Sequence, residues 1–232
     1  MDFSRFRCLS FDCYGTLIDW ETGLLQAMRP ILSRHGIAVD ERRLLESFAH
    51  AEAAIQSAAY RPYRDVLRHV LVRIGEESGF FPAAGEQEDF ADSVRDWPPF
   101  PDSTAALRRL QAEYRLIVLS NIDDDLFQAS AERLQIGFDH VFTAQRIGAY
   151  KPSRTNFEFL IDHAGCAPSQ LLHVAQSLFH DIAPAKALGL ATVWVNRRAG
   201  REGHGATVPA QAQPDLEVPD LATLAEIAVG SE

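Results

Sequence analysis

Five short apolar runs punctuate the chain: Arg7–Asp12 (RCLSFD), Arg115–Ser120 (RLIVLS), His140–Thr143 (HVFT), Leu171–Ala175 (LLHVA) and Ala191–Val195 (ATVWV). Apolar runs this short, bounded by polar or Gly positions, predict buried parallel strands. Between the later runs, apolar residues recur at three- and four-residue spacing over Ser103–Ala112, Asp124–Leu134, Thr155–Ala164, Asp181–Leu188 and Leu221–Val229, which predicts helices. Strand alternating with helix specifies an α/β fold, a Rossmann-like parallel sheet with right-handed crossovers. Such sheets bind their ligands beyond the carboxyl ends of the strands.

One stretch breaks the alternation. From Thr22 to Asp96 the pattern gives four helices, Leu24–Arg34, Glu41–Ala59, Tyr63–Ser78 and Glu86–Arg95, and no strand. Pro98, Pro99 and Pro101 then mark a stiff return to the sheet. The expected organisation is a core over residues 1–20 and 99–232 with a small helical cap inserted over 21–98. An insertion leaving just after the first strand lies over the sheet's carboxyl ends and is placed to act as a lid. Residues 200–214, rich in Gly, Ala, Gln and Pro, read as a mobile surface loop.

Composition narrows the classes. With 47% hydrophobic and 23% charged residues the chain has the makings of a folded domain rather than a disordered one. Its 22 basic against 32 acidic residues give a net charge of −10, which excludes a nucleic-acid-binding reading that needs a basic face. No apolar run approaches bilayer length, and the N-terminus has no apolar stretch of signal-peptide type. Three cysteines, an odd number without a CxxC pair, read as reduced thiols, so the expected location is the cytoplasm. None of the eight histidines has metal-ligand spacing; His180, beside Asp181, is the one adjoining a candidate site.

Four polar clusters fall at the ends of successive predicted strands. Asp12 is followed by Tyr14, Gly15 and Thr16; Ser120 and Asn121 end the second strand; Lys151 precedes Pro152; Ser177 and Asp181 open the helix after the fourth. Each has an ordinary explanation: an Asx-capped turn, loop-starting residues, a solvated lysine, an acid at a helix N-terminus. Together, and in this order, FDCYGTLID, LSN, the YKP lysine and the VAQSLFHDI loop resemble the four motifs of the haloacid dehalogenase superfamily of hydrolases. The intervening helices resemble that superfamily's small cap.

The resemblance implies covalent catalysis by Asp12 and separates two chemistries. Family phosphatases carry a second Asp two residues after the nucleophile, to protonate the leaving alcohol, and a further Asp in the fourth motif to hold magnesium. Here those positions are Tyr14 and Gln176. A phenol of ordinary pKa, about 10, is a poor acid at neutral pH, and an amide is a weak Mg²⁺ ligand. A departing halide needs neither group, and the DxYGT pattern resembles the 2-haloacid dehalogenases. The implied reaction is hydrolysis of a short 2-haloalkanoic acid through an aspartyl ester, giving a 2-hydroxy acid and halide, with no cofactor.

In that reading Lys151 orients Asp12, Thr16 hydrogen-bonds it, and Ser120 and Asn121 receive the substrate carboxylate or flank the halide. Asp181 and Ser177 orient Lys151 or the hydrolytic water, and Tyr14 lines the substrate site. The Tyr60–Arg64 turn, stiffened by Pro62, aims an Arg (Arg61 or Arg64) or a Tyr inward. The expected pocket is small and positive inside an acidic surface. The alternatives are a phosphatase using a reduced magnesium site at Asp12 and Asp181, or a catalytically silent relative. Similar enzymes often pair as homodimers, and an apolar cap surface would serve.

Overall fold

The computed structural model describes residues 1–38 and 40–230. Six parallel strands form one sheet: β1 (Cys8–Phe11), β2 (Arg115–Ser120), β3 (His140–Thr143), β4 (Leu171–Ala175), β5 (Ala191–Val195) and β6 (Leu216–Val218), in the spatial order β3-β2-β1-β4-β5-β6. β1 is central. Its Phe11 stands opposite Val118 of β2 and Val174 of β4, so the carboxyl ends of the three strands lie side by side, β2 running two residues further and β4 one. Chain order reverses about β1, which places a crevice at its carboxyl end.

Alternation along the strands divides the sheet's two faces. Cys8, Ile117, Leu119 and Leu171 pack with Phe157 and Leu160 of α8 (Arg154–His163) and Ala185 of α9 (Ala183–Ala187). Leu9, Phe11, Leu116, Val118, Leu172 and Val174 face the other way, toward α5 (Ser103–Gln111) and α10 (Leu221–Val229). This second apolar cluster runs without a break into the helical insertion. α6 (Asp124–Leu134) and the single turn α7 (Ala144–Ile147) complete the core.

The insertion contains α1 (Trp20–Arg34), α2 (Glu41–Gln56), α3 (Tyr63–Ser78), α4 (Ala84–Asp92) and a 3-10 turn, Ser93–Asp96. Its two connections are tied together. Asp19 N–H donates to the Pro98 carbonyl at 2.8 Å, and Gly23 of α1 lies so close to Trp97 that a Cβ there would come within 2.3 Å of the indole. Leu24, Met28, Phe48, Leu67 and Phe90 then bury against one another. At ~25 cal/mol per Å² of apolar burial, this shared core, rather than helix propensity, holds the four helices in place.

The differences from the sequence reading are local. β6 is a three-residue edge strand and α7 one turn, both too short to generate periodicity. The helix expected from Asp181 begins earlier, as a π turn over Leu178–Ile182. The loop over 200–214 is docked rather than free. Ala206 N–H donates to Glu21 at 2.9 Å, and Gly205, Ala206 and Thr207 are buried. Of the large apolar side chains left exposed among the described residues, Phe81 alone belongs to the insertion. Among the described residues no helix is long and apolar enough to cross a membrane.

Candidate active site

β1 delivers Asp12 to the centre of the crevice, where its N–H donates to the Val174 carbonyl at 3.1 Å. The chain then turns sharply. Gly15 adopts φ +93°, and a Cβ there would meet the Trp20 indole nitrogen at 3.0 Å and Gln176 Oε1 at 3.1 Å, so the position requires glycine on both counts. The turn aims Thr16 back at the nucleophile: its hydroxyl donates to Asp12 Oδ2 at 2.8 Å and accepts from Gln176 N–H at 2.9 Å.

Lys151 meets the other carboxylate oxygen. Its three ammonium protons are all placed, on Asp12 Oδ1 at 2.8 Å, on the Leu119 carbonyl at 2.9 Å and on Asp181 Oδ1 at 2.6 Å. Asn121 clamps the lysine's main chain, accepting from Lys151 N–H at 2.7 Å and donating to its carbonyl at 3.0 Å. Asp181 is held from behind by His173 Nε2 at 3.0 Å, while His173 Nδ1 meets Ser10 Oγ at 2.9 Å.

Burial sets the charges. It pushes the Asp12 carboxyl up, Lys151 and Thr16 opposing and Asp181 adding to the rise. Burial acts the same way on Asp181, but Lys151 and His173 outweigh it and hold that carboxyl below its ordinary value. Lys151 loses hydration, yet the two carboxylates dominate and raise it, so it is a fixed cation at neutral pH. His180, half-buried beside them, is pushed down to about 4 by its loss of hydration and is neutral.

The cavity over Asp12 measures about 40 Å³, room for a few waters or one short acid. Its floor carries Asp12, Tyr14, Ser120, Asn121, Lys151 and Asp181, and the insertion contributes Trp20, Glu52 and Tyr63. Gln176, Ser177, His180 and Thr207 close the side. The structure therefore brings together Asp12, Tyr14, Thr16, Ser120, Asn121, Lys151, Ser177 and Asp181. Ser120 Oγ is buried without a hydrogen-bond partner among the described residues. Ser177 is committed locally, its hydroxyl accepting from His180 N–H at 2.9 Å. The Tyr14 hydroxyl turns away to Ser130 at 2.9 Å, and burial raises it well above its ordinary value.

Arg61 and Arg64 are not brought to the cavity, which corrects the expectation of a cap arginine there. The Tyr60–Arg64 turn is oriented by Asp123, which accepts from Tyr63 N–H at 2.8 Å and Arg64 N–H at 3.1 Å and so caps α3 from the core. That sends Tyr63 inward and the arginines outward. Arg64 pairs with Asp92 at 2.9 Å and with Asp125 at 2.7 Å, and Arg61 meets His69 at 3.3 Å. Arg61→Ala and Arg64→Ala are expected to leave turnover within about twofold, with Arg64→Ala costing ~1 kcal/mol or less in chemical denaturation, as for other surface ion pairs.

The positive pocket is corrected as well: among the lining residues Lys151 is the one cation against the carboxyls of Asp12, Glu52 and Asp181. The magnesium position fares no better. Lys151 already bridges Asp12 and Asp181, and Gln176 Oε1 accepts from Thr207 at 3.2 Å. Among the described residues no group of three or more His, Cys, Asp or Glu is placed to hold a metal ion.

Four side chains escaped the sequence reading. Ser10 and His173 are the polar members of apolar strands, directly opposite in register, and that shared polar position was the available signal. Asp123 sits in an acidic run after the second motif. Glu52 continues the buried stripe of Leu45 and Phe48 along α2, where an acid is out of place.

Comparison with known proteins agrees with this fold. The profile of the haloacid dehalogenase-like hydrolases matches residues 6–189. The chain belongs to that family. An (S)-2-haloacid dehalogenase of Pseudomonas sp. (strain YL) is 27% identical over 238 residues, covering 98% of this chain and 95% of its own. Among solved structures, a defluorinating L-2-haloacid dehalogenase aligns with a TM-score of 0.81 at 26% identity, over 96% of this chain and 95% of its own. The fold is shared too with the L-2-haloacid dehalogenase of Xanthobacter autotrophicus carrying covalently bound chloropropionic acid, at TM-score 0.79, 20% identity and coverage of 98% and 100%.

Proposed function

We propose that this hydrolase removes the halogen from a short 2-haloalkanoic acid through an ester on Asp12. The observation that carries this reading is the pairing of a lysine-held Asp12 with a Tyr14 whose hydroxyl is bound to Ser130. The nucleophile is complete, and the position that would protonate an alcohol leaving group holds none that is free to do so. The 2-haloacid dehalogenase activity of the similar enzymes supports it.

The Asp12 carboxylate attacks the halogen-bearing carbon in line. An oxygen–carbon bond forms, and the halide departs with the bonding pair. Water then attacks the ester carbonyl, restoring the Asp12 carboxylate and releasing the 2-hydroxy acid and a proton. Lys151 orients Asp12 and offsets its charge; Thr16 fixes the second oxygen. The unpartnered Ser120 hydroxyl receives the substrate carboxylate. Asn121 acts through Lys151, and Asp181, backed by His173, holds the ammonium from the far side. The helical insertion over 21–98 serves as the lid that keeps the ester away from bulk solvent.

The test is halide release from chloroacetate, fluoroacetate and 2-chloropropionate in the presence of EDTA, run beside hydrolysis of an aryl phosphate with Mg²⁺. Halide release unaffected by the chelator is the expected result. Phosphate turnover without halide release would sink the reading.

A further inference from the structure

Glu52 is the feature that this mechanism leaves unused. It projects from α2 into the Asp12 cavity and is 5% exposed. Tyr63 donates to its Oε1 at 2.7 Å, and Oε2 has no protein partner among the described residues. Phe48, one turn earlier on α2, packs edge-on against Trp20, with ring centroids 5.8 Å apart, so the helix face that carries Glu52 is fixed over the cavity.

Its position relative to the nucleophile gives it a role. In-line displacement requires the departing group to lie opposite the attacking oxygen. Asp12 is on the floor, at the carboxyl end of β1, and Ser120, the open hydroxyl for the substrate carboxylate, is also a floor residue. The departing atom must therefore point to the roof, which Trp20, Glu52 and Tyr63 form. An ionised carboxylate there would repel a leaving anion. A carboxylic acid would donate a hydrogen bond to it as charge develops.

Resting on the dehalogenase reading, we propose that neutral Glu52 is a catalytic residue that hydrogen-bonds the departing halide through Oε2, and that this fits the site to fluoride over the heavier halides. Fluoride is the smallest halide and the strongest hydrogen-bond acceptor among them, so it gains most from a donor. As the Asp12 oxygen–carbon bond forms and the carbon–fluorine bond breaks, the electron pair leaves on fluoride. The proton stays on Glu52, and the balance of the reaction is unchanged.

The surroundings favour the state required. Burial, then the charge of Asp12, lifts Glu52 to about 7 against the opposing bond from Tyr63. An ionised Asp12 thus helps to keep Glu52 protonated. The other ionisable groups sharing its cavity are Tyr14, Tyr63, Lys151, His180 and Asp181.

The experiment measures kcat/KM for 2-fluoropropionate and 2-bromopropionate against pH in the wild type, Glu52→Gln and Glu52→Ala, with thermal midpoints alongside. Fluoride release by the wild type should fall as pH rises through about 7. Glu52→Gln, which keeps an N–H donor but cannot ionise, should lose that limb and stay within about tenfold. Glu52→Ala should lose ~10²–10³-fold on the fluoro acid, as when one transition-state donor is removed, and less than about tenfold on the bromo acid. Equal losses on both substrates, or an upper limb that persists in Glu52→Gln, overturn the role of Glu52 while leaving the dehalogenase reading intact. A wild type that releases neither halide overturns both. Glu52→Gln, nearly isosteric, carries the test if the alanine variant unfolds.

Discussion

Asp12→Asn is expected to lower halide release from 2-chloropropionate by at least ~10⁴-fold, the order seen when a covalent nucleophile is removed, without loss of stability. The amide has the carboxylate's shape but cannot form the ester. The native carboxylate is held against the cost of its burial, and Lys151 retains Asp181 at 2.6 Å when the first partner becomes neutral. The thermal midpoint should therefore stay level or rise, the usual sign of a charged group kept for chemistry rather than for folding. A companion measurement locates the bond. In a single turnover in water labelled with heavy oxygen, attack on the ester carbonyl leaves the label in the peptide containing Asp12 and an unlabelled hydroxyl in the product. Label appearing first in the product would mean that water displaces the halide directly. A variant within about tenfold of the wild-type rate would remove Asp12 from the reaction altogether. The pH dependence has a definite sign: attack needs the carboxylate, and the Asp12 carboxyl lies above its ordinary value, so the native rate falls as pH drops through that raised value.

Much of this geometry was legible in the chain because each element of the floor combines a local signal with a topological one. An apolar run ending in Asp12, Ser120 or Ser177 is visible without a structure, and parallel topology alone brings the ends of β1, β2 and β4 to one crevice. Lys151 and Asp12 are 139 residues apart, yet motif order was enough to pair them. The roof was not legible in the same way. Glu52 sits in an amphipathic helix whose neighbours are ordinary core residues, and its register against Asp12 depends on how α2 packs over the sheet. The arginines of the Tyr60–Arg64 turn were misplaced because their direction is set by Asp123, 59 residues away from Arg64. A sequence gives that turn its stiffness but not its facing. His173 was hidden for a related reason: in a strand buried on both faces, only its pairing with Ser10 across the ladder distinguishes it from a stray polar residue.

Lys151→Met is expected to combine a large loss of rate with a large loss of stability, the opposite pattern to Asp12→Asn. The methionine fills similar space but leaves Asp12 and Asp181 facing each other in a buried site without their shared cation. Breaking a buried ion pair from one side costs ~3–5 kcal/mol, which for a chain of this length lowers the midpoint by on the order of 10 °C. The site relieves this by taking up a proton, and Asp12, already raised, is the group that accepts it. At neutral pH most of the variant then lacks its nucleophile. Turnover should drop by ~10³-fold or more, recovering in part as pH rises and Asp12 ionises. Stability moves the other way. In the native protein Asp181 is held low, so its contribution is present above the unfolded value and is lost as pH falls through the folded one. Lys151 is raised, so its contribution is present below the unfolded value and is lost as pH rises through the folded one. In the variant neither holds: protonating the orphaned carboxyls relieves their repulsion, so the midpoint should increase more steeply on mild acidification than that of the native protein, in which the raised carboxyls of Asp12 and Glu52 already add stability as pH falls. A midpoint and a pH–rate profile both matching the native protein would show that the Asp12–Lys151–Asp181 cluster neither holds the fold nor arms the nucleophile.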